Sequence, residues 1–117
     1  MAIIRIKNLI IPAIIGFNPE ERVNHQEVIL NLEIEVDISM AVNSDHEDAI
    51  YNYKTITKVI IAFVSESKYN LLEKLTYEVL QLVMNDDRVI RAKVEIDKPR
   101  ALRFSNSVSV ELEAIRK

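Results

Sequence analysis

A run of strict alternation from Glu27 to Ile38 constrains the fold more than any other feature of this chain. Val28, Leu30, Leu32, Ile34, Val36 and Ile38 fall on one face, and Glu27, Asn31, Glu33, Glu35 and Asp37 on the other. A period of two is that of a strand with one face in a core and one in water. Arg91–Asp97 repeats the pattern, with Ala92, Val94 and Ile96 opposing Arg91, Lys93, Glu95 and Asp97. Ser107–Glu113 does so again, with Val108, Val110 and Leu112 opposing Ser107, Ser109, Glu111 and Glu113. Residues 2–11 alternate more loosely, with Ile4 and Ile6 set against Arg5 and Lys7. Such two-faced strands predict an antiparallel sheet covered on one side only, since strands of a parallel sheet are buried on both.

The cover comes from the middle of the chain. Ile56, Val59, Ile60, Phe63 and Val64 recur at helical spacing within Lys54–Ser67, and Leu71, Leu72, Leu75, Val79, Leu82 and Val83 do so within Leu71–Met84. Asn70 is expected to cap the second helix, with Glu73 at its third position completing a capping-box-like pair. Asn85-Asp86-Asp87 is expected to stop it, and Asn43–Asp48 reads as a polar, acidic connection. The expected order is ββααββ, an α+β fold in a single domain spanning residues 1–117. The edges of an open sheet ask to be paired or protected. Together with a polar face rich in charges of both signs, this predicts self-association around a wet channel.

Composition removes several classes of function. No cysteine is present, which excludes disulfides and thiolate metal sites. A net charge of −3 offers no basic footprint for nucleic acid. The apolar stretch Asn8–Phe17 is too short to span a bilayer and is interrupted by Pro12, and no small-residue cleavage site follows it. The expected location is therefore the cytoplasm. The single glycine, Gly16, rules out phosphate-cradling fingerprints that need several and marks a tight turn after the first strand.

Few side chains stand out chemically. His25 and His46 lack partners at metal-ligand spacing and read as structural or exposed. Lys98 leaves an apolar strand and is followed by rigid Pro99, which fixes it at the sheet rim, although a strand-end lysine is usually a solvated one. Glu73 sits where a helix's first turn offers free backbone donors. Tyr53 precedes the first helix, and Glu20-Glu21 follows the glycine turn. Taken singly, each has a plain structural explanation.

Together these positions resemble the dihydroneopterin aldolase and dihydroneopterin triphosphate epimerase family along nearly the whole chain. The matching stretches are Ile15-Gly-Phe-Asn-Pro-Glu-Glu-Arg22, Gln26, Ser44-Asp45 ahead of Tyr51-Asn-Tyr53, Leu71-Leu-Glu73 and Lys98-Pro99. The resemblance implies a tunnelling fold in which four subunits close their sheets into a ring, usually stacked in pairs as an octamer, with sites between neighbours. It implies a pterin substrate and neither metal nor other cofactor. Glu73 would anchor the aminopyrimidinone ring beside the backbone of Leu72. Tyr53 would come from the adjacent subunit, Lys98 would be the principal acid–base group, and Glu21 would help hold the side chain or its water.

The substrate class carries its own electron sink, because the C6–N5 imine of a dihydropterin accepts the electrons released when the C1′–C2′ bond breaks. Release of the aldehyde fragment makes the enzyme an aldolase. Re-addition through the aldehyde's other face inverts C2′ and makes it an epimerase. Aldolases of the family commonly follow Lys-Pro with Gly-Ala, whereas this chain has Arg100-Ala101 and then Arg103. Guanidinium groups suit a phosphorylated side chain, so the expectation is the triphosphate epimerase. The alternatives are that Arg100 and Arg103 pair with surface carboxylates in an aldolase, or that the chain is a pterin-binding oligomer without turnover.

Overall fold

The alternating segments become the strands of one four-stranded sheet in a computed structural model that describes residues 1–46 and 51–117. Strand β1 spans Ala2–Ala13, β2 Gln26–Val36, β3 Val89–Pro99 and β4 Ser107–Ile115. They lie in the order β1-β2-β3-β4, each antiparallel to its neighbour. A short helix α1 covers Ser39–Asn43, and the two main helices are α2, Tyr53–Glu66, and α3, Leu72–Met84. The described elements thus follow the expected ββααββ order, with α1 as an addition. Of the expected acidic connection Asn43–Asp48, Glu47 and Asp48 lie outside the described residues.

The periodicities explain which face is covered. Val28, Leu30, Leu32, Ile34 and Val36 of β2 and Ala92, Val94 and Ile96 of β3 are buried beneath the helices. Leu75, Val79 and Val83 of α3 and Ile60 and Val64 of α2 supply the opposing layer. Helix α3 packs over β3 and β4, while α2 lies over β1. Truncating a side chain such as Leu75 to alanine here costs about 2–5 kcal/mol, from lost transfer energy and the cavity left behind.

The uncovered face is held by ion pairs across strands. Arg91 reaches Glu33 at 2.9 Å, Glu35 at 3.1 Å and Glu113 at 2.6 Å, and Arg5 meets Glu33 at 3.1 Å. These carboxylates hold the guanidinium proton still more firmly than usual, and Arg91 first among its neighbours holds the Glu33 carboxyl below its ordinary value.

One expectation is explained and two are corrected. The looseness of β1 has a local cause, a bulge between Ile6 and Leu9, where Asn8 takes a φ of 54° and donates its N–H to Asn31 Oδ1. One extra residue shifts the parity, so Ile4 and Ile6 face the helices before the bulge and Ile11 and Ala13 after it. Pro12 does not interrupt the segment, because β1 is an edge strand that can spare an N–H. Strand β2 stops at Val36 rather than Ile38, where Asp37 Oδ1 accepts the Ser39 N–H and turns the chain into α1.

Candidate active site

Gly16 begins the site. Its φ of 113° is one that side chains rarely allow, and a Cβ built there would lie 2.3 Å from the Glu21 carboxylate. The absence of a side chain lets that carboxylate fold back beneath the turn. A 3-10 turn, Pro19–Arg22, carries Glu21 into place, and Glu21 Oε1 accepts the Asn18 N–H at 3.2 Å.

The other oxygen of Glu21 meets the lysine. Lys98 Nζ donates to Glu21 Oε2 at 2.7 Å, and Gln26 Nε2 donates to the same oxygen at 3.1 Å while also reaching the Ile15 carbonyl. Lys98 occupies the next even position of β3 after Ala92, Val94 and Ile96, so it continues the apolar register to the rim and points to the covered side. Its side chain is only 16% exposed and that of Glu21 19%. The Lys98 hydrogen bond holds the Glu21 carboxyl below its ordinary 4.5, helped by Gln26 and the Asn18 N–H and opposed by burial. The result is a shielded ammonium–carboxylate pair in which Glu21 is ionised at neutral pH.

Arg22 ties this corner to the helices. It donates to the Gly16 carbonyl at 3.2 Å, to the Tyr69 carbonyl at 3.2 Å and to the Lys68 carbonyl at 2.6 Å. The Glu21 turn is thereby clamped to the connection just ahead of α3. The expected Asn70 cap is not formed. Leu71 holds the N-cap position without a side-chain cap bond, which makes Glu73 the second helical residue. Because leucine has no side-chain acceptor, no side chain at the N-cap takes up the first amides of α3, while the Lys74 N–H reaches the Leu71 carbonyl at 3.1 Å. Leu72 is buried beneath, and Glu73 stands exposed on the first turn.

Tyr53 is the first residue of α2 rather than its predecessor, and its side chain is 48% exposed. The short connection 67–71 joins the far end of α2 to the start of α3. A helix of this length therefore sets Tyr53 roughly 20 Å from Glu73 within one chain. Within one chain Lys98 meets Glu21, and Arg22 ties their turn to the connection ahead of α3, while Tyr53 stands at the other end of α2.

Beyond Pro99 the chain enters the β3–β4 loop. Arg100 adopts a φ of 64° and donates its N–H to the Asn106 carbonyl. Neither Arg100 nor Arg103 forms an ion pair among the described residues; Arg103 instead lies over the Phe104 ring at 5.4 Å. A cleft of about 390 Å³ opens at this end of the sheet, lined by His25, Gln26, Glu27, Pro99 and Arg100. Among the described residues no cluster of three or more His, Asp or Glu could hold a metal ion, and no helix is long and apolar enough to cross a membrane.

The sequence placed Arg22 and Gln26 in matching stretches but assigned neither a role. The signal for Arg22 lay in its place beside Glu21, but its partners are backbone carbonyls from a distant segment, which residue type does not reveal. Tyr51 was likewise given no role: it is buried, its hydroxyl has no hydrogen-bond partner among the described residues, and burial pushes its pKa up to about 12.

Comparison with known proteins gives a consistent result. The family model described as FolB, dihydroneopterin aldolase, matches residues 4–113. The dihydroneopterin triphosphate 2′-epimerase of Pseudomonas aeruginosa is 46% identical over 116 residues, covering 99% of this chain and 94% of that protein. The Escherichia coli protein of the same name is 43% identical, covering 95% of this chain and 92% of its own. The Escherichia coli dihydroneopterin aldolase, solved in complex with neopterin, superposes with a TM-score of 0.91 at 24% identity, covering 97% of this chain and 99% of that one. Its arrangement of sheet and helices, the tunnelling fold, is the one described above.

Proposed function

The chain belongs to the dihydroneopterin aldolase family, and from that premise we propose that it is a dihydroneopterin triphosphate 2′-epimerase acting in the cytoplasm. The observation that carries this reading is the shielded Lys98–Glu21 pair with Arg100, free of any ion pair among the described residues, two positions further on. The pair supplies proton transfer, and the arginine supplies a reason for phosphate on the substrate. Identity to proteins named as epimerases, well above that to the aldolase, favours the same choice.

In this reading the Glu73 carboxylate accepts hydrogen bonds from the 2-amino group and N3–H of the pterin, and the uncapped amide near Leu72 donates to the ring. The reaction begins when the 2′-hydroxyl loses its proton and the C1′–C2′ bond breaks. The bonding electrons move through C6 to N5, which takes up a proton, leaving an enamine and an aldehyde. Lys98, directly or through one water, exchanges these protons. Glu21, held by Gln26 and the Asn18 N–H, keeps the lysine aimed at the reacting carbon. If the aldehyde turns before C1′ adds back, C2′ is inverted, and the protons return along the same path.

Tyr53 enters such a site only from a neighbouring chain, which the helix length requires if it is to approach Glu73. A ring of four subunits, stacked as an octamer, supplies that neighbour and pairs the edges of β1 and β4. The test is to incubate the protein with dihydroneopterin triphosphate and resolve the C2′ epimers while watching for 6-hydroxymethyldihydropterin. Epimer formation with little cleavage, lost in folded Lys98→Ala, supports the reading. Dominant cleavage of the unphosphorylated substrate would make the protein an aldolase, and undiminished turnover in Lys98→Ala would remove the lysine from the chemistry.

A further inference from the structure

The cleft at the end of β2 and β3 has a second side-chain donor besides Arg100. His25 stands immediately before β2, and Arg100 immediately after β3, so the antiparallel pairing of these strands brings both to one cleft. Between them lie Gln26 and Pro99, the residues that adjoin the reacting pair: Gln26 bonds the Glu21 carboxylate, and Pro99 follows Lys98. The cleft therefore begins where the proton-transfer site ends. His25 and Arg100 are both exposed, and neither has an ion-pair partner among the described residues. The one acidic residue in the lining is Glu27.

The φ of 64° at Arg100 matters to this geometry. A backbone turned into the left-handed region at that residue, pinned by the Asn106 carbonyl, carries the arginine back across the sheet end instead of onward along β3. The following arginine, Arg103, is not part of the lining and lies over Phe104.

We infer that His25 and Arg100 are the two arms of a clamp for the phosphate tail of the substrate, with Glu27 opposing them and limiting its strength. This deepens the reading of the site as an epimerase for a phosphorylated dihydropterin and rests on it. A tail leaving the carbons beside Lys98 passes over Gln26 into the cleft. There the guanidinium fork and the imidazole N–H donate to phosphate oxygens. The Glu27 carboxylate repels the same oxygens, so the clamp distinguishes a phosphorylated from an unphosphorylated side chain without holding the product too tightly to release.

The experiment is calorimetric binding of neopterin triphosphate and of neopterin to the wild-type protein and to His25→Ala, Arg100→Ala and Glu27→Gln, alongside epimerisation of the dihydro substrate. The wild type binds the triphosphate about tenfold or more tighter than neopterin, as one charge-assisted hydrogen bond's worth of preference requires. His25→Ala and Arg100→Ala each lose several-fold of that preference, while affinity for neopterin stays unchanged. Glu27→Gln binds the triphosphate more tightly, a gain that a merely structural role would not give. A preference left intact in His25→Ala, or weakened in Glu27→Gln, overturns the clamp. So does a wild type that binds both ligands equally, even if it epimerises. A preference that collapses in the variants with no epimer ever formed supports the clamp and refutes the epimerase reading instead.

Discussion

Gly16→Ala is the substitution for which the structure makes the sharpest quantitative statement. Two costs arise at that position, and they can be separated. The first is backbone strain, because an alanine held at a φ of 113° lies outside the regions open to L-residues and costs about 1–2 kcal/mol. The second is displacement of Glu21, whose carboxylate atoms would lie 2.3, 2.4 and 2.6 Å from the new Cβ. The carboxylate must swing away, surrendering its bonds to Lys98 and Gln26 and leaving a shielded ammonium without its partner. Loss of a charge-assisted hydrogen bond of this kind costs about 1.5–3 kcal/mol. The whole effect is about 2.5–5 kcal/mol, which a domain of this size survives with a melting temperature lower by roughly 10–25 °C.

A double-mutant cycle with Glu21→Ala isolates the second cost, because truncating Glu21 removes the atoms that the new methyl would strike. In that background Gly16→Ala retains the backbone strain alone, and the cycle yields a coupling of about 1.5–3 kcal/mol by chemical denaturation. In the otherwise wild-type protein, the proposed role of Lys98 predicts that epimerisation falls by about a hundredfold, because the lysine loses the carboxylate that orients it. If Gly16→Ala costs the same with and without the Glu21 side chain, the packing of carboxylate under glycine has been misread. Full activity in the folded single variant would be equally damaging.

The same pair predicts a pH dependence. The folded pKa of Glu21 lies below its ordinary 4.5, so the stability it contributes is fully present above 4.5 and is lost as pH falls through the lower, folded value. The stability gap between wild type and Glu21→Gln should therefore narrow in acid, and a gap constant from about neutral to about pH 3 would exclude the linkage. Tyr51→Phe should be neutral or stabilise the protein by up to about 1 kcal/mol in thermal unfolding, since the hydroxyl it removes is buried without a partner among the described residues; a clear loss would show that the hydroxyl is bonded in solution. Arg91→Met leaves Glu33, Glu35 and Glu113 together on the sheet without the shared guanidinium. Its melting temperature should drop and recover in part with added salt, which screens like charges. A drop insensitive to salt would assign Arg91 a packing role instead.

Side-chain periodicity alone determined the sheet, its covered face and the two main helices. A strand or helix can bury its apolar stripe only by turning one face inward, and Val28 to Val36, Ala92 to Ile96 and Leu72 to Val83 each leave no choice of face. Lys98 was legible for the same reason, as the one charge at the end of an apolar register, and Gly16 because a lone glycine in a long chain has few uses besides a turn. The bulge at Asn8, the uncapped start of α3 and the reach of Arg22 to the Tyr69 carbonyl were decided by tertiary structure. Each turns on where a backbone N–H or carbonyl lies in space, which the residue types do not announce. The pairing of Glu21 with Lys98 belongs to the same class. The two residues are 77 positions apart, and only the antiparallel return of β3 alongside β2 places the lysine against a carboxylate folded under Gly16.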